Sequence, residues 1–317
     1  MGSYQSYQER ASNAGYVSSF ESRSKWGYGW DNTHPVYSKV GGFQREFLYE
    51  WTANNEGLKG DTLKVEKSGA RIMIFGDSFT ESMGAPTDSA YPQLVQHLIR
   101  SSGDSTTQVI NCGTAGGDVF TEYMLLKGKM LKYRPDVVIV TFNSTDLYEF
   151  TVRGGFERFK PDNKVEYRTP PWFEPIYARS YLVRVVVHDI LKYDSRFLRP
   201  TEAVAMDSLS IKNNIAVIDS FRALCSTINC QFGMVFHPMQ NEFLEETEYG
   251  NAPIISYCRK QQIPYIDNFD CMKNAGINSK NIHTYYWPID GHYKVKGYEV
   301  MAQCAFELLT QNKWLEQ

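Results

Sequence analysis

The sequence lacks any hydrophobic run long enough to cross a bilayer, and its first residues carry no apolar signal-peptide core. It also lacks an excess of basic residues, since 33 Lys and Arg stand against 36 Asp and Glu, for a net charge of −3. That balance gives no electrostatic footprint for nucleic acid. With six cysteines and no Cys-x-x-Cys pair, neither a disulfide framework nor structural zinc is indicated. We therefore expect no nucleic-acid partner, metal, other cofactor or transmembrane segment.

The six cysteines divide by their predicted surroundings. Cys112 and Cys304 fall on apolar positions of a predicted strand and a predicted helix, so we expect buried free thiols at both. The other four flank predicted turns and leave two pairings open in an oxidising compartment, Cys225 with Cys230 and Cys258 with Cys271.

One stretch joins a buried strand to a helix through a serine. Residues Ile72–Phe75 are apolar and are followed by Gly76, Asp77 and Ser78, so the pattern predicts a strand that ends at the glycine. Asp and Ser supply helix-capping chemistry, and apolar residues recur at helical spacing over 90–99. Ser78 therefore lies where a strand turns into a helix, either as a cap alone or as a nucleophile in the crevice beyond the strand.

A second stretch, near the other end of the chain, places an acid and a base on one short loop. Asp290–Gly291–His292 precedes an apolar helical pattern that begins after Gly297. A carboxylate can orient a neighbouring imidazole, and the imidazole can then take a proton from a serine hydroxyl. Together with Ser78, this loop fits the nucleophile, base and orienting group of serine hydrolysis.

With both stretches in view, the chain resembles the SGNH (GDSL-type) hydrolase family. The resemblance covers about residues 68–312, with a poorly matched segment between about 150 and 230. It implies a nucleophile at Ser78, a base at His292 and an orienting carboxylate at Asp290. The motifs that carry it, in the family's order, are Gly76–Asp77–Ser78, residues 109–117 with the family's glycine at Gly116, residues 135–146, and Asp290–Gly291–His292.

The implied oxyanion hole departs from the family's pattern. Its backbone donors would be the N–H groups of Ser78 and Gly116. The third motif usually ends in Asn–Asp, but here Thr145 precedes Asp146 and Asn143 lies two residues earlier. Either Asn143 reaches the hole, or Thr145 donates through its hydroxyl, or the hole has fewer donors. A second departure, Asp–x–His instead of Asp–x–x–His, is shared by some polysaccharide-modifying relatives.

The resemblance also implies an α/β fold, a three-layer α/β/α sandwich around a central, mainly parallel sheet (SGNH/flavodoxin-like), with an N-terminal extension. We expect an arm and a small packed extension over residues 1–67, the arm itself over 1–35. Residues 68–317 would form the hydrolase-like catalytic domain, with a flap insertion at about 150–208 that borders the cleft.

Apolar spacing gives more detail around this insertion. It predicts a helix over Tyr177–Tyr193, a linker over 198–208 and a helix over 209–228. His237 follows the predicted strand Gln231–Phe236 and is interpreted as a structural cap, with substrate contact as the alternative. The residues expected to face inward in the first helix are Leu182, Val185, Val186 and Ile190.

The implied activity is that of a serine-dependent carbohydrate esterase that removes O-acyl groups, above all O-acetyl, through an acyl-enzyme. The same acyl-enzyme would serve an O-acetyltransferase that modifies a glycan, and the motifs do not separate the two. An alternative from another class is a catalytically weak glycan-binding assembly protein, which Thr145 in the asparagine position favours. The expected partner is an O-acylated carbohydrate or another small ester.

The compartment stays open in the sequence. The opening Met1–Gly2–Ser3 and the polar segment after it are compatible with a removed signal or anchor. In that case we expect the bacterial periplasm or cell envelope, and otherwise the cytoplasm.

Overall fold

A computed structural model describes residues 26–29, 48–51, 53–160, 171–194, 197–245, 250–288 and 290–316. The predicted arm over 1–35 lies outside the described residues except for 26–29. Residues 161–170 and 195–196 of the predicted flap also lie outside them, as does Ile289. In the extension, β1 (Trp26–Gly29) pairs antiparallel with β2 (Leu48–Trp51). No helix in the described ranges is long and apolar enough to cross a membrane.

The centre of the fold is a five-stranded sheet with every neighbouring pair parallel. Its spatial order is β4-β3-β5-β6-β7. The first strand of the sheet in chain order thus lies between the second and the third, as is typical of flavodoxin-like sheets. The continuous apolar runs of β3 and β5 suit central strands that are buried on both faces. The strands are β3 (Arg71–Gly76), β4 (Gln108–Gly113), β5 (Val137–Phe142), β6 (Gln231–Phe236) and β7 (Tyr265–Asp267).

Helices cover both faces of this sheet. Alternate residues of β3 point to opposite sides, so Met73 and Phe75 belong to one buried cluster and Ile72 and Ile74 to the other. The predicted three-layer α/β/α fold is thereby confirmed. The helices are α1 (Ser78–Glu81), α2 (Tyr91–Ser101), α3 (Val119–Gly128), α4 (Asp146–Val152), α5 (Glu174–Arg179), α6 (Tyr181–Val185), α7 (Pro200–Thr227), α8 (Gln240–Glu245), α9 (Ala252–Lys260), α10 (Asn268–Asn274) and α11 (Val295–Gln311).

The insertion after β5 differs from its prediction in two places. The helix expected over Tyr177–Tyr193 is interrupted: α5 ends, Ser180 caps α6, and a π-helical turn follows over Val186–Ile190. The new start and the wider turn rotate the register, so Leu182 and Ile190 are exposed instead of inward. The linker expected over 198–208 is also wrong, because Pro200 occupies the first position of α7, where proline suits a helix.

The cysteines are paired differently from the expectation. Cys304 is not a free thiol but forms a disulfide with Cys271, which joins α11 to α10. Cys258, the expected partner of Cys271, cannot pair with it, because Cys258 lies in the cluster on the other face of the sheet, with its sulfur 3.5 Å from that of Met234. Cys112 is a buried free thiol as expected, and Cys225, Cys230 and Cys258 are free as well.

Candidate active site

The predicted site residues follow the carboxyl ends of three adjacent strands. Ser78 comes after β3, the middle one of these three, Gly116 after its neighbour β4, and Asn143 after its other neighbour β5. The chain leaves β3 in one direction to form β4 and reaches β5 on the opposite side, so these ends meet at a topological switch point. In open parallel sheets, ligands bind in the crevice at such a point.

Ser78 is held at the first position of the short helix α1. The carboxylate of Asp77 accepts a hydrogen bond from the Phe79 N–H at 2.8 Å and so caps the helix. Gly76 permits the sharp turn, since a Cβ there would lie 2.1 Å from the Thr80 hydroxyl oxygen. The Ser78 side chain is half-buried at the rim of this turn.

The loop before α11 brings its imidazole to the serine. His292 Nε2 lies 2.7 Å from Ser78 Oγ, and His292 Nδ1 lies 2.5 Å from Asp290 Oδ1. The loop is closed by two backbone bonds, Trp287 N–H to the His292 carbonyl and Gly291 N–H to the Trp287 carbonyl. Gly291 has φ +83°, in the left-handed region. The tight turn explains how a carboxylate only two residues before the histidine can reach its ring.

An aromatic ring packs against the imidazole of His292. Phe79 stacks on His292 with ring centroids 4.5 Å apart, and the ring of His237 also contacts Phe79, tilted and at the same centroid distance. His237 is fully buried, and burial lowers its pKa to about 4 despite the attraction of Asp77. A neutral, enclosed ring in this position fits the structural role expected for His237 better than substrate contact.

The glycine loop, Gly113–Gly117, begins at the last residue of β4 and lies directly against α1. A Cβ on Gly113 would be 2.0 Å from the Glu81 backbone nitrogen, which shows how closely the two segments approach. Gly116 has φ +72°. Within the described residues, the N–H groups of Ser78 and Gly116 have no hydrogen-bond acceptor. Two unpaired backbone donors are therefore present in the nucleophile loop and the glycine loop.

The two candidate side-chain donors are linked to each other. Asn143 is buried, and its Nδ2 donates to Asp77 Oδ2 at 2.9 Å. The Thr145 hydroxyl donates to Asn143 Oδ1 at 2.7 Å, and the Thr145 N–H donates to the same oxygen at 2.8 Å. In this arrangement the Thr145 proton is occupied, whereas the Asn143 amide keeps a second N–H.

Buried carboxyl groups lie behind the nucleophile loop. Burial raises the pKa of Glu122 well above its usual range, and the charges of Asp77 and Asp118 add to the effect. The pKa of Asp146 is raised for the same reason, with further repulsion from Asp77 and Glu122. Burial and mutual repulsion thus disfavour the charged forms of both Glu122 and Asp146.

Three charged side chains around the site were not found from the sequence. Glu81 Oε2 accepts from the Ala115 N–H at 2.6 Å, and Arg153 donates to the Gly116 carbonyl at 3.0 Å. Lys59 is buried and donates to the carbonyls of Ser82 and Ala85 at 2.9 and 2.5 Å. None belongs to a motif with fixed spacing. The one available signal was Glu81's position, three residues after the serine.

No family model matches the sequence, and no curated protein is significantly similar to it. Among solved structures, the chain is similar to Axe2, an acetylxylan esterase from Geobacillus stearothermophilus, at 14% identity over 78% of this chain and 96% of that chain, with a TM-score of 0.46. It is also similar to the psychrotrophic esterase EstA from Pseudoalteromonas sp., at 12% identity over 78% and 100%, with a TM-score of 0.46. A member of the lipolytic G-D-S-L family from Veillonella parvula gives 13% identity over 77% and 100%, with a TM-score of 0.43.

Proposed function

We propose that this chain is a serine esterase of the SGNH (GDSL-type) family that removes O-acyl groups, acetyl above all, from carbohydrates through an acyl-enzyme. The observation that carries the proposal is the continuous relay from Ser78 Oγ to His292 Nε2 at 2.7 Å and from His292 Nδ1 to Asp290 Oδ1 at 2.5 Å. A buried structural serine has no need of this arrangement, whereas a nucleophile with its base and orienting group requires it.

The relay assigns a role to each of its members. Asp290 accepts a hydrogen bond from the Nδ1–H of His292, which leaves the Nε2 lone pair directed at the serine hydroxyl. Ser78 Oγ attacks the acyl carbon while its proton passes to Nε2, and the same proton then goes to the departing sugar oxygen. Water repeats the sequence on the acyl-enzyme and releases the acid.

The negative oxygen of the tetrahedral intermediate needs donors at the glycine loop. We assign the unpaired N–H groups of Ser78 and Gly116 to it, together with the second N–H of Asn143. Thr145 then acts on the hole indirectly, because it fixes Asn143 Oδ1 through two hydrogen bonds. Such donors are typically worth about 100- to 1000-fold each in rate.

Hydrolysis of p-nitrophenyl acetate tests the reaction class. We expect the wild type to turn over, Ser78→Ala to fall to the background rate, and Ser226→Ala, at an exposed position of α7, to match the wild type. A serine-directed phosphonate should label the wild type at Ser78. Equal background rates in wild type and Ser78→Ala would reject the esterase and favour a glycan-binding protein.

A second experiment addresses the substrate. Release of acetate from an O-acetylated oligosaccharide by the wild type, but not by Ser78→Ala, is expected of a carbohydrate esterase. Addition of an unacetylated oligosaccharide to the reaction, followed by mass spectrometry, distinguishes transfer to sugar from transfer to water. Turnover of p-nitrophenyl acetate without release from any acetylated glycan would reject the carbohydrate assignment alone.

A further inference from the structure

Charged side chains hold the glycine loop from two opposite elements. From the nucleophile side, Glu81 at the end of α1 accepts the Ala115 N–H at 2.6 Å. From the other side, Arg153 at the end of α4 donates to the Gly116 carbonyl at 3.0 Å. The two contacts bracket the peptide group between Ala115 and Gly116, whose N–H is the donor assigned to the oxyanion.

The remaining backbone groups of this loop are paired within the scaffold. The Thr114 N–H donates to the Gly76 carbonyl at 2.9 Å, and the Gly117 N–H donates to the Thr114 carbonyl at 2.7 Å. The Ala115 N–H is taken by Glu81. Along Thr114–Gly117, the N–H left without an acceptor among the described residues is that of Gly116.

The Arg153 side chain is itself held by acidic partners, and Glu81 is near a buried lysine. The Arg153 guanidinium binds the Glu149 carboxylate at 2.6 Å and lies 3.7 Å from Asp118, the cap of α3. Glu81 lies near the buried ammonium of Lys59, which its charge stabilises. A side chain held by its own partners loses little entropy when it orients a loop, which suits a role in preorganisation.

We propose that Glu81 and Arg153 are positioning residues of the oxyanion hole, which keep the Gly116 N–H unpaired and directed at the developing charge. The inference rests on the esterase proposed above and adds two residues to its machinery. Neither side chain touches the reacting atoms. Loss of either contact would let the Gly116 peptide rotate, and a displacement of about 1 Å near the chemistry can lower a rate about 100-fold.

The test compares truncating with conservative variants. Glu81→Ala and Arg153→Ala should lower kcat on p-nitrophenyl acetate by about 10- to 100-fold with KM changed less than about threefold. Glu81→Gln retains an acceptor and Arg153→Lys retains a donor, so both should recover part of the loss. Matched controls are Glu299→Ala and Arg100→Ala, at exposed positions of α11 and α2, which should behave like the wild type.

A sulfur-substituted substrate separates this role from a general structural one. A thionoester places a poor hydrogen-bond acceptor in the oxyanion hole, so an intact hole strongly prefers the oxygen ester. In Glu81→Ala and Arg153→Ala this preference should fall by about tenfold or more, because the Gly116 N–H is no longer held toward the oxyanion. The pH dependence of kcat/KM should not move, because His292 and Asp290 are unchanged.

The outcomes distinguish the two proposals. If the wild type shows no Ser78-dependent turnover, the esterase assignment fails and this inference falls with it. If the wild type is active and the truncating variants keep their oxygen-over-sulfur preference, the inference alone is rejected, whatever their kcat. Circular dichroism and thermal unfolding identify variants that misfold, and the Gln and Lys variants then decide the question.

Discussion

The contact between Gly113 and α1 gives the sharpest single perturbation of the site. In Gly113→Ala the new Cβ would lie 2.0 Å from the Glu81 nitrogen, 2.4 Å from the Thr80 carbonyl carbon and 2.7 Å from the Glu81 Cα. Real Cβ contacts essentially never fall below 3.0 Å, and all three neighbours are backbone atoms that cannot swing aside. Helix α1, which carries Ser78, must therefore move by about 1 Å relative to β4.

That displacement should separate Ser78 from His292, whose loop is anchored elsewhere. We expect kcat on p-nitrophenyl acetate to fall about 100-fold or more, and the free energy of unfolding to fall by about 1–3 kcal/mol. Gly128→Ala is the matched control, because a Cβ at the end of α3 meets nothing within 4 Å; it should keep full activity and gain up to about 1 kcal/mol. Gly113→Ala with kcat within about threefold of the wild type would refute the reasoning.

Three further predictions concern the oxyanion donor, a buried base and the disulfide. Asn143→Ala should lower kcat by about 100- to 1000-fold, and Thr145→Val by about tenfold or less; the reverse order would make Thr145 the donor. Burial lowers the pKa of His237 from 6.5 to about 4. Between those pH values the unfolded chain binds more protons than the native protein, so the free energy of unfolding drops on acidification by up to about 3 kcal/mol. Urea unfolding at pH 7 and pH 4.5 should show a smaller drop in unfolding free energy for His237→Asn than for the wild type. An equal drop would contradict the lowered pKa of His237. Replacing Cys271 and Cys304 by serine should cost about 4 kcal/mol in the same assay at pH 7, from the 33-residue separation, and unchanged stability would exclude a contribution from this bridge.

The strands of the sheet could be predicted because they follow from apolar periodicity along the chain, whereas Gly116 and Asn143 were named from the resemblance of the motifs. The strand predicted over Gln231–Phe236 has the same limits in the structure. Parallel strands present their carboxyl ends at one edge. This geometry places Ser78, Gly116 and Asn143 at the same edge of the sheet although they are far apart in sequence.

Features that depend on tertiary contacts were not predictable in this way. The apolar spacing of Leu182 and Ile190 resembles that of a packed helix, but the Ser180 cap and the π-helical turn set their actual direction. Cys271 and Cys304 carry no pairing signal in their spacing, and become neighbours only because α10 packs on α11. Residues 198–208 were predicted as a linker, whereas Pro200 begins α7, the longest helix in the described ranges.

Lys59 shows how a residue before the predicted catalytic domain contributes to the site. Although the predicted boundary lies after residue 67, the buried Lys59 amino group donates to the carbonyls of Ser82 and Ala85, directly behind the helix of Ser78. Burial lowers its pKa from 10.5 to about 7, against the opposing charge of Glu81. The unfolded chain therefore binds more protons than the native protein between pH 7 and 10.5, so stability rises with pH through this window.

Lys59→Met keeps the length of the side chain but can neither titrate nor donate. At pH 7 two effects oppose each other in this variant: Ala85 loses a buried donor, and the cost of burying a protonatable amine is removed. The gap between the two proteins should shift in favour of the wild type by up to about 3 kcal/mol between pH 7 and 9.5, because only the wild type has an amine that is protonated in the unfolded chain and neutral in the native protein. Urea unfolding at the two pH values measures this shift. A gap that is the same at pH 7 and 9.5 would mean that the native ammonium keeps its charge, supported by Glu81, and that burial does not set its pKa.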